Sequence, residues 1–389
     1  MAKILMINVP YAGHTNPTLP LAKELVRRGH QVIYVNAEEF RAKIEKTGAK
    51  FVPYINYPDK PTEHQKKTMC FRAAYDTALQ IDEKFDLLIY EMFFYPGYAI
   101  AEKLGIPCVR QFSQPAWNRK FIQKAPLVFR ISAEIIDAKV MKKEHKLHMG
   151  LKHTNMTKAV LEDCPDLNVV YVPSAFQKHR EDFDKSYYFT VPPVESMETT
   201  VNIPFEEMKH PIIYISLGSI ISNKGFCKEC IRAFGDTEFS VILNTGRISP
   251  DKLGHIPQNI YAYSFVPQIE VLKHADVFLT HCGMNSVNEA IVAKVPMIAM
   301  PFVNDQLANA QRIVELGIGK RIRSFSSSSK QMYKVAKEIV SDNQIKEKYD
   351  IFSKQMNNDS FDEIVNEIEK ILVGSVLQGD HTYEKQTPQ

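Results

Sequence analysis

No apolar stretch of this 389-residue sequence approaches the roughly 18 residues that a membrane-crossing helix needs. The opening run, Lys3-Ile4-Leu5-Met6-Ile7-Asn8-Val9, is too short for a signal-peptide core and lacks a small-residue cleavage site, so it reads as a buried first strand. Cysteine is scarce: six in a chain this long cannot build a disulfide scaffold, and the expected location is the cytoplasm. Cys227-x-x-Cys230 invites a zinc or redox reading. A zinc site wants a second Cys or His pair, however, and only the lone His210 and His255 fall within thirty residues. Two buried thiols one helical turn apart is the better reading. An excess of one charge is missing too. With Lys+Arg 48 against Asp+Glu 45 and a net charge of +3, a dedicated nucleic-acid binder is not expected. At 44% hydrophobic residues the chain is not disordered either.

What the sequence does contain is alternation: short β-rich runs separated by longer helical patterns, the signature of parallel sheets with crossover helices. The first series has strands at Ile4–Val9, Gln31–Asn36, Asp86–Tyr90, Pro107–Phe112 and Val169–Val172, with a helix from Pro17 to Arg28 closed by Gly29. A second series follows a proline-containing polar stretch, with strands at Ile212–Leu217, Ser240–Asn244, Ile260–Ala262, Val277–Thr280 and Met297–Met300. The length suits two domains at about 150 residues each. The division expected is an N-terminal domain over 1–191, a linker over 192–210, a C-terminal domain over 211–373 and a disordered polar tail over 374–389. Two α/β domains of this kind normally leave a cleft at the carboxyl ends of their strands, so function is sought in the loops that follow strands.

The most informative of these is Thr280-His281-Cys282-Gly283-Met284-Asn285-Ser286, a Gly-containing turn between a strand and a helix. Such a turn presents unpaired N–H groups and the positive end of the helix dipole, which suits a phosphate. Asn285 and Ser286 can also simply cap the helix, and on this segment alone the two readings are equally good. Glu289, four residues after Asn285, shares its helix face, where a carboxylate can accept from both hydroxyls of a ribose. Phe265-Val266-Pro267-Gln268 offers a ring to stack on a base and backbone groups to read its edge. Pro301-Phe302-Val303-Asn304-Asp305-Gln306 sets a carboxylate beside an amide, a match for vicinal sugar hydroxyls.

Together these segments resemble the nucleotide-sugar signature of the UDP-glycosyltransferase superfamily, and more closely its bacterial macrolide-glycosyltransferase-like branch. The likeness covers nearly the whole chain and includes the opening Gly13-His14-x-Asn16-Pro17. It implies an α/β GT-B fold, two Rossmann-like domains with an interdomain cleft, and a metal-independent inverting reaction with the donor held by the C-terminal domain. By the same resemblance Val266 and Gln268 read uracil, Phe265 stands where many relatives stack a Trp, and Glu289 holds the ribose. Ser219, His281, Gly283, Asn285 and Ser286 bind the diphosphate, and Asp305 and Gln306 face the sugar.

His14 follows the first strand. A single His is by itself more readily a surface or packing residue; its loop position and the resemblance reverse that preference and make it the general base that deprotonates the acceptor. Such a base needs a carboxylate to fix its tautomer. Where the family usually has an Asp at the end of the Asp86–Tyr90 strand, this chain has Glu91, one methylene longer. The implied enzyme is a UDP-dependent hexosyltransferase, moving glucose from UDP-glucose to a small, largely apolar hydroxylated acceptor such as a flavonoid, phenol or macrolide. Phe112, Trp117, Phe121 and Phe129 are candidates for the acceptor pocket, although most of them are better core residues. No cofactor, metal, nucleic-acid partner or membrane insertion is expected. A UDP-sugar epimerase of the same fold and a non-catalytic nucleotide-sugar binding protein are the competing readings. Asp182-x-Asp184 and the basic stretch Lys139–Lys158 read as solvated surface.

Overall fold

The computed structural model describes residues 1–124, 148–153, 155–193, 201–218, 223–324, 328–356 and 359–383. The chain forms two compact units: Met1–Pro193 together with Asn358–Gln389, and Val194–Asn357. Each is built on an all-parallel sheet.

The first sheet has seven strands: β1 (Lys3–Ile7), β2 (Gln31–Asn36), β3 (Lys50–Pro53), β4 (Leu87–Glu91), β5 (Cys108–Phe112), β6 (Leu167–Val170) and β7 (Tyr187–Phe189), in the order β3-β2-β1-β4-β5-β6-β7. The second has six: β8 (Ile212–Ser216), β9 (Ser240–Asn244), β10 (Ile260–Tyr263), β11 (Val277–Thr280), β12 (Met297–Ala299) and β13 (Gly319–Arg321), in the order β10-β9-β8-β11-β12-β13. Central strands are apolar throughout because helices cover both faces, so LLIY of β4 and IIYI of β8 are buried without alternation. In both sheets the first strand of the series has neighbours on opposite sides that continue in opposite directions. β1 lies between β2 and β4, and β8 lies between β9 and β11. The loops leaving those strands diverge there, opening a crevice at the carboxyl ends within each unit.

Three features depart from the sequence reading. Short β3, β7 and β13 carry charged or half-exposed residues and gave no strand signal. The segment after β1 is a helical turn, Ala12–Thr15, then a 3₁₀ turn and the helix Leu19–Arg27, so His14 lies in helical backbone, not in a loop. Lastly, the helix Phe361–Tyr383 belongs to the first unit and continues past 374. Its residues Ile364, Val365, Ile368 and Leu372 recur at helical spacing and enter the first unit's core. Glu369 accepts from Arg28 Nη1 at 2.8 Å beside them.

Cys227 and Cys230 are free thiols buried along the helix Lys224–Phe234, and burial raises the pKa of both, Cys227 to about 11. Among the described residues no helix is long and apolar enough to cross a membrane.

Candidate active site

In the first unit the crevice is built around the end of β1. Asn8, the residue after the strand, is buried, and its amide donates to the His14 carbonyl at 3.1 Å and to Tyr34 Oη at 3.0 Å. The Tyr54 hydroxyl donates to the Asn8 carbonyl. This buried polar network pins the Ala12–Thr15 turn and so fixes where His14 points. Pairing of β1 with β4 sets Ile7 against Tyr90, so the next residue of β4, Glu91, emerges beside that turn.

His14 Nδ1 lies 3.0 Å from Glu91 Oε1. Glu91 is fully buried, while the His14 side chain keeps 24% of its surface exposed. A carboxylate oxygen facing Nδ1 selects the tautomer with the proton on that atom, which makes Nε2 the basic nitrogen. The other carboxylate oxygen accepts from the Phe93 N–H at 2.8 Å. The Phe93 ring stands edge-on to the imidazole at 4.7 Å between centroids, with Tyr11 at 6.2 Å, and Trp117 packs against Phe93.

Sequence reasoning missed Ser113 as a site residue. Its hydroxyl donates to Glu91 Oε1 at 2.9 Å, and its oxygen lies 2.7 Å from His14 Nδ1. The available signal was register: β5 pairs Gln111 with Glu91, so the chain leaves β5 beside the same crevice. The aromatic candidates also change. Phe112 is fully buried and Trp117 nearly so, Phe129 lies outside the described residues, and the rings next to His14 are Phe93 and Tyr11.

In the second unit the turn after β11 carries the corresponding constellation. His281, 8% exposed, sits between two glycines. A Cβ on Gly218 would come within 2.6 Å of its Cε1, and one on Gly283 within 2.5 Å of its Nε2. Gly218 also has a left-handed φ of 72°, a second reason for glycine there. Burial lowers the His281 pKa to about 4, so the ring is neutral, and its Nδ1 has no hydrogen-bond partner among the described residues. Gly283 is the N-cap of the helix Met284–Val292, and no side chain caps that helix. Asn285 and Ser286 lie inside the first turn and not at its cap position, and a glycine N-cap offers no side chain to compete with an anion for the first-turn N–H groups.

Ser286 is engaged elsewhere, accepting from Gln268 Nε2 at 3.0 Å. The same amide nitrogen donates to Glu289, and Gln268 Oε1 accepts from Tyr214 Oη at 3.1 Å. Gln268, Ser286 and Glu289, read separately from the sequence, thus form one cluster. Desolvation raises the Glu289 pKa, with the Gln268 hydrogen bond pulling it down. Phe265 is 52% exposed, and Val266 beside it is buried.

Two expected sugar readers fare differently. Gln306 Oε1 accepts from the Phe302 and Val303 N–H groups at 2.9 and 3.2 Å, so it shapes its own loop and its oxygen is occupied. Asp305 is exposed in the first turn of the helix Asn304–Glu315. Ser219 lies outside the described residues. Asp182 is ion-paired with Lys120 but its side chain is only 13% exposed, against the solvated-surface reading, whereas Asp184, which accepts from Ser186, is exposed.

Comparison with known proteins gives a consistent result. Residues 192–361 match the family described as UDP-glucoronosyl and UDP-glucosyl transferase. The NDP-glycosyltransferase YjiC of Bacillus subtilis (strain 168) is 31% identical over 360 residues, covering 88% of this chain and 90% of the relative. The oleandomycin glycosyltransferase of Streptomyces antibioticus is 28% identical, with 88% and 84% covered. Among solved structures, the glycotransferase of kitacinnamycin superposes with a TM-score of 0.82 at 27% identity, over 95% of this chain and 98% of that one.

Proposed function

Since the chain belongs to the UDP-glucoronosyl and UDP-glucosyl transferase family and is a glycosyltransferase of GT-B fold, we propose that it moves a hexose, glucose, from a UDP-sugar to a hydroxyl of a small, largely apolar acceptor with inversion at the anomeric carbon. The observation that carries this reading is the 3.0 Å contact between His14 Nδ1 and Glu91 Oε1, which leaves Nε2 as the base. His14 Nε2 takes the acceptor's hydroxyl proton as the oxygen bonds to the anomeric carbon. The bond from that carbon to the diphosphate oxygen breaks, and UDP leaves. One displacement from the opposite face inverts the centre. Glu91 holds the ring and stabilises its cationic form.

The leaving diphosphate gathers negative charge as it departs. The N-terminus of the helix Met284–Val292 meets that charge with backbone N–H groups already in place, and neutral His281 adds a donor without bringing a charge of its own. Such an array does for the diphosphate what a divalent cation does elsewhere, so the reaction runs without metal. Glu289 receives the ribose hydroxyls, Phe265 stacks on the base, and Asp305 meets the sugar. The rings of Phe93 and Tyr11 beside His14 favour an acceptor with a flat apolar face. Incubation with UDP-glucose and a panel of phenols and macrolides, with separation of products, tests the reading. A β-glycoside is expected. An epimerised donor would point to an epimerase, and unchanged donor across the panel to a binding protein.

A further inference from the structure

We propose that Ser113 is a positioning residue for the same transfer, closing a triangle with His14 and Glu91; the inference rests on the glycosyl-transfer reading above. The three sides are 3.0 Å from His14 Nδ1 to Glu91 Oε1, 2.7 Å from Nδ1 to Ser113 Oγ, and 2.9 Å from Ser113 Oγ to Glu91 Oε1. A hydroxyl has one proton, and here it goes to the carboxylate oxygen. The lone pairs of Oγ are then what Nδ1 meets. The Nδ1 proton consequently faces two acceptors, and the tautomer with Nε2 basic is held from both sides.

The triangle also answers a problem that Glu91 creates. A Glu carries one more rotatable bond than an Asp, so its carboxylate has more ways to turn from the ring. Phe93 N–H holds Oε2 at 2.8 Å and Ser113 holds Oε1, so both oxygens are fixed. Ser113 is 4% exposed and sits directly after β5 in the crevice, where water cannot readily take the place of its hydroxyl.

The test uses the full chain, UDP-glucose and two acceptors: an aliphatic alcohol, which needs a base, and 4-nitrophenol at a pH where it is already ionised. Ser113→Ala should lower kcat on the alcohol about tenfold, leave KM for UDP-glucose unchanged and alter turnover of 4-nitrophenol by less than about twofold. Ser113→Thr, which keeps the hydroxyl, should restore most of the lost rate. A second readout needs no turnover. Nitrogen NMR of labelled imidazoles, with His14 assigned by its loss in His14→Ala, should show the Nδ1-protonated neutral tautomer in the wild type and a mixture in Ser113→Ala. Equal loss on both acceptors, a raised KM for the donor with kcat retained, or an unchanged tautomer would each overturn the assignment. A wild-type protein that glycosylates neither acceptor would defeat the functional reading, and the tautomer measurement would still decide the triangle.

Discussion

His14 and Glu91 are 77 positions apart in sequence, yet Nδ1 of one lies 3.0 Å from Oε1 of the other. The sheet order brings this about. β1 and β4 are hydrogen-bonded neighbours although two strands separate them along the chain, and both end at the crevice where the order turns back. The pairing couples a half-exposed base to a fully buried acid, and a buried carboxylate is repaid only by specific donors. Removing either partner of the contact therefore leaves the other without its charge-matched neighbour.

Removing the base is the most direct trial. His14→Ala should lower kcat on alcohol acceptors by about 10²- to 10⁴-fold. UDP binding measured by calorimetry should be unchanged, because the residues proposed to read the nucleotide belong to the second unit. Acidic phenols, which arrive partly ionised, should lose least. Normal turnover of alcohols by His14→Ala would remove His14 from the mechanism.

Glu91 is tested by charge and by length. Glu91→Gln keeps the shape but places a neutral amide beside Nδ1, and kcat should fall by about two orders of magnitude or more. Glu91→Asp keeps the charge but draws the carboxylate back by about 1.5 Å, so it cannot hold His14, Ser113 and the Phe93 N–H together. Its loss should be intermediate. Wild-type turnover by Glu91→Gln, or collapse in Asp86→Asn instead, would assign the orienting role elsewhere.

Metal dependence follows from how the diphosphate is held. If helix N–H groups and neutral His281 hold the phosphate as proposed, activity should survive dialysis against EDTA. Loss of turnover that added Mg²⁺ or Mn²⁺ restores would contradict this.

The buried imidazole of His281 predicts a pH effect on folding. Its pKa is lowered from 6.5 to about 4, so the unfolded chain binds a proton that the folded one refuses over that interval. The stability this group contributes is complete above pH 6.5 and falls as the pH drops towards 4, by about 3 kcal/mol. In urea melts, wild type should lose about 3 kcal/mol of stability relative to His281→Gln between pH 7 and pH 4. An unchanged difference between the two pH values would mean that His281 is hydrated and titrates normally.

Much of this was legible in the sequence because it depends on local pattern. Apolar runs mark the long central strands, and the turn Thr280–Ser286 announces a helix N-terminus. The clustering of Gln268 with Ser286 and Glu289 follows from the same elements once the sheet is assembled. Ser113 was not legible, since a Ser after a strand is commonplace and its meaning lies in what neighbouring strands bring to it. Gln306 was misread. It occupies the N3 position of its helix, and its side-chain oxygen reaches back to the entering backbone. The last helix shows a different limit. Its periodicity announces an apolar stripe but does not name the core that receives it.

That helix has a consequence for anyone who wants to recombine this enzyme with a relative. Because Phe361–Tyr383 belongs with the first unit, the second unit is in effect an inserted module, flanked on both sides by sequence of its host. A chimera that exchanges donor specificity therefore needs two junctions, one after Pro193 and one near Asn358. A single crossover would graft a foreign terminal helix onto the native core and replace Ile364, Val365, Ile368 and Leu372 along with the module it meant to exchange.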